Sequence, residues 1–356
     1  MRALGIETSC DETAVAIVRR GRNGHAAIEA ETVLSQVDDH APFGGVVPEI
    51  AARAHVDHLD RLITATLNEA NLKPKDLDCI ATTAGPGLIG GVLVGLVTGR
   101  AMASAINVPF IAVNHLEGHA LSPRLGEAVS FPYLLFLVSG GHTQILCVEG
   151  VGHYQRWGTT LDDALGEAFD KTAKLLELGF PGGPAVERMA KSGDPDRFVL
   201  PVPLKGKEGC DFSFAGLKTA VRLAAEKAAP LDDQAVADLC ASFQRSVGEI
   251  IKDRLSSALS RFSERYARPP VLVAAGGVAA NTHIRAILSD LITKREGRLV
   301  IPPAHHCTDN AAMIAWAALE RESVHLPRFD PTARPRWPLD SQAAPKLGSG
   351  KKGARA

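Results

Sequence analysis

Tyr133-Leu134-Leu135-Phe136-Leu137-Val138 runs into Ser139-Gly140-Gly141-His142-Thr143, and that turn leads into Gln144-Ile145-Leu146-Cys147-Val148-Glu149. An apolar run, a glycine-rich polar turn and a second apolar run describe two strands joined by a tight bend. The same order occurs near the N-terminus, where Ala3 to Thr8 and Thr13 to Val18 flank Ser9-Cys10-Asp11-Glu12. The repeat predicts two related halves, each begun by a hairpin. Adjacent glycines let backbone amides approach an anion, and Thr8, Ser9 and Asp11 offer hydroxyls and a carboxylate to a phosphate or its metal. Each turn alone also reads as a solvated hairpin tip.

Outward from these hairpins the pattern alternates strand and helix. Ile28 to Leu34 is a third strand, and Pro48 opens an amphipathic helix through Leu67 with Ile50, Ala54, Leu59, Leu62 and Ile63 on its apolar side. His40, His55 and His58 read as surface or core histidines. Leu77 to Thr83 is a buried strand, turned by Ala84-Gly85-Pro86-Gly87 into a helix from Leu88 to Ile106. That helix carries Gly90, Gly91, Gly95 and Gly99, each costing up to about 1 kcal/mol relative to Ala, so close helix-on-sheet packing is expected to compensate. A phosphate at its N-terminus is the alternative, without a G-x-x-x-x-G-K-[ST] pattern to support it. After Phe110 to Val113 the description is a mixed sheet with helices on its faces.

Asn114-His115-Leu116-Glu117-Gly118-His119 follows that strand and sets two imidazoles at i and i+4 on one helical face. With a carboxylate from elsewhere they would make a first-row metal site; two such histidines also occur by chance in soluble helices. Glu117 lies roughly 200° around the helix from His115, unlike the glutamate of an H-E-x-x-H zinc protease, which directly follows the first histidine.

In the second half, Asp162 or Asp163 is expected to cap a helix that carries Glu167, Asp170 and Lys171. Phe180-Pro181-Gly182-Gly183-Pro184 turns into another helix, and 194–214 lacks periodicity. Long helical patterns cover Ala215 to Ala229 and Asp232 to Tyr266. Val271 to Ala275 is a strand ending in Gly276-Gly277-Val278-Ala279-Ala280-Asn281, the kind of strand end where open α/β sheets bind nucleotides. Arg298 to Ile301 is a last strand, leading through His305-His306-Cys307-Thr308-Asp309-Asn310 to a helix from Ala311 to Glu320. Asp309 reads as that helix's N-cap or as a metal carboxylate.

At 356 residues the chain is long enough for two domains, divided here as 1–130, 131–325 and a basic disordered tail, 326–356. A net charge of -1 leaves any RNA contact to a local patch or a partner subunit. Six cysteines without a C-x-x-C pair argue against a disulfide framework, and with no signal peptide or membrane span the expected compartment is the cytoplasm. The apolar run from Leu88 to Val97 is short and glycine-rich for a bilayer.

Seven motifs taken in order resemble one family, the tRNA N6-adenosine threonylcarbamoyltransferases of the actin-like ATPase superfamily, once described as O-sialoglycoprotein endopeptidases. They are Gly5-Ile6-Glu7-Thr8-Ser9-Cys10-Asp11-Glu12-Thr13, His115-Leu116-Glu117-Gly118-His119, Val138-Ser139-Gly140-Gly141-His142-Thr143, Gly166-Glu167-Ala168-Phe169-Asp170-Lys171, Pro181-Gly182-Gly183-Pro184, Gly276-Gly277-Val278-Ala279-Ala280-Asn281 and Thr308-Asp309-Asn310. The resemblance covers roughly residues 1 to 325.

It implies an α/β fold: two actin-like (RNase H-like) domains, mixed sheets flanked by helices, around a nucleotide cleft. It implies transfer of the threonylcarbamoyl group from threonylcarbamoyl-AMP to the N6 amine of the adenosine 3′ of the anticodon in ANN-decoding tRNAs, with AMP leaving. His115, His119 and Asp309 would bind one divalent metal, Fe2+ first and Zn2+ second. Leu137, Val138, Ser139, Gly140, Gly141, Asp170, Gly183 and Asn281 would hold the adenylate, with Asp11, Glu12 and Lys171 as candidates to orient the amine or move its proton. Archaeal and eukaryotic relatives carry a tyrosine where this chain has Leu137, so the sequence looks like the bacterial branch. The implied partners are a paralogous metal-free homologue, which the Gly90 to Gly99 helix would suit, and a small P-loop ATPase. An ATPase or kinase of the same superfamily and a metallopeptidase are the alternatives.

Overall fold

Strand β1 (Arg2–Glu7) sends Leu4 and Ile6 to one side of a sheet and Ala3 and Gly5 to the other, and this difference in side-chain size sets what covers each face. A computed structural model of the chain describes residues 1–127, 129–344, 346–347 and 354–355. β1 pairs antiparallel with β2 (Glu12–Arg20), which pairs antiparallel with β3 (Ala26–Ser35). On its other edge β1 runs parallel to β4 (Cys79–Gly85), and β4 parallel to β5 (Phe110–Asn114), giving the order β3-β2-β1-β4-β5.

The second half repeats the plan. β6 (Tyr133–Val138) pairs antiparallel with β7 (Thr143–Gly150), which pairs with β8 (His153–Thr159). β6 is also parallel to β9 (Val271–Ala275), and β9 to β10 (Arg298–Val300), so the order β10-β9-β6-β7-β8 mirrors the first sheet strand for strand. The two related halves expected from the hairpins are present as two five-stranded mixed sheets. The sequence reading lacks β8, whose pattern carries polar residues at His153, Gln155 and Arg156.

Large side chains of the first sheet, Leu4, Ile6, Val15 and Ile17, bury against Leu59, Leu62, Ile63 and Leu67 of helix α1 (Pro48–Glu69). Helix α2 (Ile89–Ile106) lies beside α1 on the same face. A Cβ on Gly91, Gly95 or Gly99 would overlap the Thr8 carbonyl, the Thr8 hydroxyl and the Thr82 methyl respectively, so the glycines serve close helix-on-sheet packing. They face the fold's own interior and are not open to a partner helix; Ile89, Leu93 and Val97 form the exposed side. By length and composition α2 is the one helix among the described residues apolar enough to cross a bilayer.

The small-residue face, with Ala3, Ala14 and Ala16, receives an alanine-rich helix that comes from the far end of the chain, α9 (Ala311–Ser323). Gly5 lies against the Ala311 carbonyl and Ala315. The first lobe is therefore built from both ends of the sequence, and a division at 131 and 325 cuts through its core. Small side chains matched across a distance in sequence leave no local period to read.

Helix α3 (His115–Leu121) is wedged between α9 and the second sheet: Gly118 meets Met313 and Ile314, while Leu116 and Ala120 join Tyr133, Leu135 and Leu137. The other face of the second sheet carries α4 (Leu165–Leu175), α5 (Gly182–Ala190), α6 (Ala215–Ala228), α7 (Asp233–Tyr266) and α8 (Thr282–Thr293) around one large core. Asp232 caps α7, its carboxylate accepting from Ala235 N at 2.7 Å. Residues 194–214 form no helix or strand of their own and are tied to α7 through Asp238, which accepts from Asp194 N at 2.6 Å.

Against the expectation from sequence, neither Asp162 nor Asp163 caps α4: the Asp162 carboxylate accepts from Phe214 N at 2.7 Å and Ala215 N at 3.2 Å at the start of α6, and Asp163 pairs with Lys171. Thr143 Oγ1 accepts from Leu165 N instead, at 2.8 Å, so the helix start is served across the hairpin.

The expected disordered tail is also corrected over its first part. Trp337, 9 % exposed, buries its ring among Ala84, Leu96 and Ala112 and meets Phe329 edge-on at 4.7 Å. One large aromatic supplies the burial that the Pro- and Arg-rich composition conceals. Asp340 accepts from Arg156 N on β8 at 2.8 Å, so the strand of chain reaches from the first lobe to the second. Much of the basic run Lys351 to Arg355 lies outside the described residues.

Candidate active site

The loops at the ends of β1, β5, β6 and β9, together with α4, surround a cleft of about 620 Å³. His115 lines its floor from α3, which begins where β5 ends, and His119 lies buried one turn behind it. Asn114 caps that helix, accepting from Leu116 N at 2.9 Å, so the first imidazole is fixed one residue after the strand. The two rings meet edge to face with centroids 4.7 Å apart.

Asp309 comes to them from the other end of the chain. Asn310, not Asp309, caps α9, accepting from Met313 N at 2.9 Å. The aspartate is thereby released from the capping role, and its Oδ1 lies 3.1 Å from His119 Nε2 and 3.5 Å from His115 Nε2. Ligand atoms at 2.0–2.2 Å in a tetrahedral metal site are separated by about 3.4 Å, so this spacing fits one ion. The three residues bring one donor each within 4.8 Å of the others. His119 Nδ1 is buried without a hydrogen-bond partner among the described residues, whereas His115 is backed by a carboxylate. Two imidazoles and a carboxylate suit iron or zinc.

That backing carboxylate is Glu7, the last residue of β1, which the sequence reading leaves without a role. Its Oε2 lies 3.0 Å from His115 Nδ1 and accepts from Thr83 Oγ1 at 2.5 Å, while Oε1 accepts from Ser9 N at 2.6 Å. Burial would raise its pKa, but His115 holds it below the ordinary value. A charged residue at the buried end of an otherwise apolar strand was the available signal.

The same balance governs His115 and Asp309. Burial opposes the charge on His115, yet Asp309 and Glu7 raise its pKa to about 9; burial would raise Asp309, but His115 and His119 hold it far below the usual carboxylate range. Glu12 has no such cation. Burial and the charges of Asp309 and Asp11 push its carboxyl up to about 10, so at neutral pH it carries a proton.

The other expected residues divide. Ser139, Gly140, Gly141, Asp11, Glu12 and Asp170 line the cleft together with His115 and Asp309. Leu137 and Val138 are buried core residues with no exposed surface. One oxygen of Asp170 accepts from Gly182 N at 2.8 Å, holding the start of α5 with its neighbour Gly183, beside which a Cβ would meet nothing within 4 Å. Asn281 caps α8, accepting from Ile284 N at 3.0 Å, and its amide donates to Gln244 at 3.0 Å. Lys171 pairs with Asp163 at 2.7 Å and Glu167 at 2.8 Å; burial works against its charge, but these bonds raise its pKa, so it keeps its proton. Glu117 points away from the histidines and pairs with Arg321 at 3.0 Å, so it supplies no peptidase base. His40 and His55 are buried in the first lobe, His55 Nδ1 lying 2.7 Å from Thr13 Oγ1.

Comparisons with known proteins agree with this arrangement. A family model described as tRNA N6-adenosine threonylcarbamoyltransferase matches residues 27–316. Proteins of that name from Rhizobium leguminosarum bv. trifolii and Brucella anthropi are 59% and 58% identical, over 100% of this chain and 99% and 100% of theirs. Among solved structures, HypF of T. kodakarensis superposes with a TM-score of 0.62 at 15% identity, over 92% of this chain and 48% of that one. Component A of the (R)-2-hydroxyglutaryl-CoA dehydratase of Acidaminococcus fermentans gives 0.53 at 17% identity, over 91% of this chain and 99% of that one. Both share the actin-like ATPase fold with it.

Proposed function

Because this chain belongs to the tRNA N6-adenosine threonylcarbamoyltransferase family, we propose that its interlobe cleft is where the family's reaction takes place, with His115, His119 and Asp309 as the ligands of one divalent metal. The chain transfers the threonylcarbamoyl group from threonylcarbamoyl-AMP to the N6 amine of the adenosine 3′ of the anticodon in ANN-decoding tRNAs, releasing AMP. The observation that carries the site is the convergence of two histidines from α3, an aspartate from the start of α9 and the Ser139-Gly140-Gly141 turn on one cleft.

The donor is a mixed anhydride and already activated, so no ATP is consumed in the transfer step. The acceptor amine is a poor nucleophile, its lone pair delocalised into the purine; position and charge must supply the rate. Ser139, Gly140 and Gly141 let backbone approach the phosphate closely, and Gly183 at the start of α5 offers a second close approach. An Fe2+ ion, or Zn2+, held by the three ligands would supply Lewis acidity toward the acyl carbonyl. Glu7 fixes the His115 ring. As the N6–carbon bond forms and the carbon–oxygen bond to phosphate breaks, the amine loses a proton, which Asp11, a carboxylate of the lining, would accept as AMP leaves. Glu12, on the same lining, is a candidate to orient the amine. Lys171 braces the wall of Asp163 and Glu167. Asn281, Leu137 and Val138 act through the backbone they position.

We further infer that the exposed stripe of Ile89, Leu93 and Val97 on α2 docks the paralogous metal-free homologue, and that a small P-loop ATPase completes the assembly in the cytoplasm. A net charge of -1 supports sharing the tRNA surface among subunits. The test is transfer of labelled threonine from threonylcarbamoyl-AMP to an ANN-decoding tRNA transcript, with partner subunits added. Wild type should label the tRNA, and His115→Ala and Asp309→Ala should lose label together with bound metal. Label retained in both variants would refute the metal site.

A further inference from the structure

Three consecutive anchors fix the strap that follows Phe329 onto the first lobe. Arg334 N donates to the Ala84 carbonyl at 2.7 Å, Gly87 N donates to the Pro335 carbonyl at 3.3 Å, and Asn114 Nδ2 donates to the Trp337 carbonyl at 3.1 Å. Gly85, at φ 130°, lies so close beneath that a Cβ would overlap the Arg334 carbonyl oxygen. The Arg334 guanidinium lies over the Trp337 ring at 4.6 Å, and that ring is buried. Arg336 sits between these anchors. Its backbone has no freedom to leave the cleft mouth, and the residue lines the cleft with Pro86, Gly87 and Pro335.

Charge gives that position its meaning. Apart from Asp309 and the protonated Glu12, the described lining includes the carboxylates Asp11, Glu167 and Asp170, and Arg336 is the one Lys or Arg among it. The donor substrate of the reaction adopted above is anionic twice over, at its phosphate and at its threonine carboxylate. A metal held by His115, His119 and Asp309 could answer one charge, and the carboxylates elsewhere in the lining leave a second anionic group in need of a side-chain cation. A guanidinium matches either with paired N–H donors.

We propose that Arg336 is a substrate-binding residue that pairs with an anionic group of threonylcarbamoyl-AMP, and that the strap anchored by Trp337 exists to hold it at the cleft. The proposal rests on the transferase reading, and the test separates the two. Equilibrium binding of threonylcarbamoyl-AMP and of AMP to the full chain, by calorimetry, needs no turnover. Arg336→Ala should weaken adenylate binding about ten- to a hundredfold, the range for a charge-assisted bond, and Arg336→Lys should restore part of it. AMP weakened in parallel identifies the phosphate as the partner; AMP unchanged identifies the carboxylate. In the transfer assay with partner subunits, the variant should raise KM for the adenylate and leave KM for tRNA alone. Unchanged adenylate binding, or a rise confined to KM for tRNA, would overturn the proposal, the second outcome assigning Arg336 to the RNA backbone. Failure of wild type to transfer at all would count against the transferase reading, while the binding comparison would still decide Arg336. A melting temperature matching wild type excludes a loss of fold as the cause.

Discussion

Glu7 Oε2 stands 3.0 Å from His115 Nδ1, on the side of the ring away from Asp309, so the strand end decides which nitrogen of the histidine faces the cleft. A carboxylate behind a ligating imidazole fixes its tautomer and raises its basicity. Glu7→Gln keeps the shape but removes the charge. It should weaken metal binding about ten- to a hundredfold, measured by competition with a chelator of known affinity, and leave the melting temperature of the metal-free protein within a few degrees.

Metal affinity should rise with pH across the neutral range. In the metal-free protein the charges of Asp309 and Glu7 outweigh burial and hold His115 at about 9, so a proton occupies the ligand below that pH. The metal needs the neutral ring, and binding must expel the proton. Between pH 6.5 and 8.5 the apparent affinity for Zn2+ should increase about tenfold per pH unit and level off above 9. Proton release measured in two buffers of different ionisation enthalpy checks the count. An affinity flat with pH would contradict this account.

Arg321 and Glu117 form an ion pair whose side chains are 6% and 1% exposed, and Tyr154 donates to the same carboxylate at 2.9 Å. Arg321→Met leaves a buried charge without its partner. The cost should be about 3–5 kcal/mol in urea unfolding, and Glu117→Gln added to it should recover a large part. Metal binding should be unaffected in the surviving folded protein, since Glu117 faces away from His115 and His119.

The two sides of α2 should respond differently to substitution. Gly95→Leu drives a side chain into Thr8 and should destabilise the chain by about 1–3 kcal/mol or more, with partner binding lost only through unfolding. Leu93→Lys, on the exposed side, should change stability by less than about 0.5 kcal/mol yet abolish co-purification with the homologue. Retained co-purification in Leu93→Lys would move the docking face elsewhere.

Much of this architecture is legible in the sequence where the signal is local. The 34-residue helix α7 announces itself by its period and by Asp232 at its start, and β9 is bounded as expected because Val271 to Ala275 is apolar between a proline pair and a glycine pair. His115 and His119 are readable as a pair from spacing alone. Asp309 is not, since nothing in the chain between 120 and 308 indicates that α9 returns to the first sheet. Of the two readings of Asp309, the cap falls to the neighbouring Asn310, which leaves the aspartate's carboxylate turned to His119 and His115. Asp162 misleads for a related reason: a carboxylate before a helix is a cap signal, but here it serves the more distant α6. The strap was hidden because its burial rests on the single Trp337.

The return of α9 bears on how the chain can be made. A ribosome delivers β1 to β5 early, yet the alanine face of that sheet is covered chiefly by residues 311–319. Through most of synthesis that alanine face waits for its cover, whereas the large helical face of the second sheet is covered by helices from within its own stretch of sequence. The helical side of the second lobe can form first, and Asp309 comes beside His115 only when the segment that leads into α9 reaches the first lobe. The proposed metal site and the cover of the first sheet thus depend on the same late segment, so a chain halted before residue 309 lacks both the Asp309 carboxylate and the helix that packs on the alanine face.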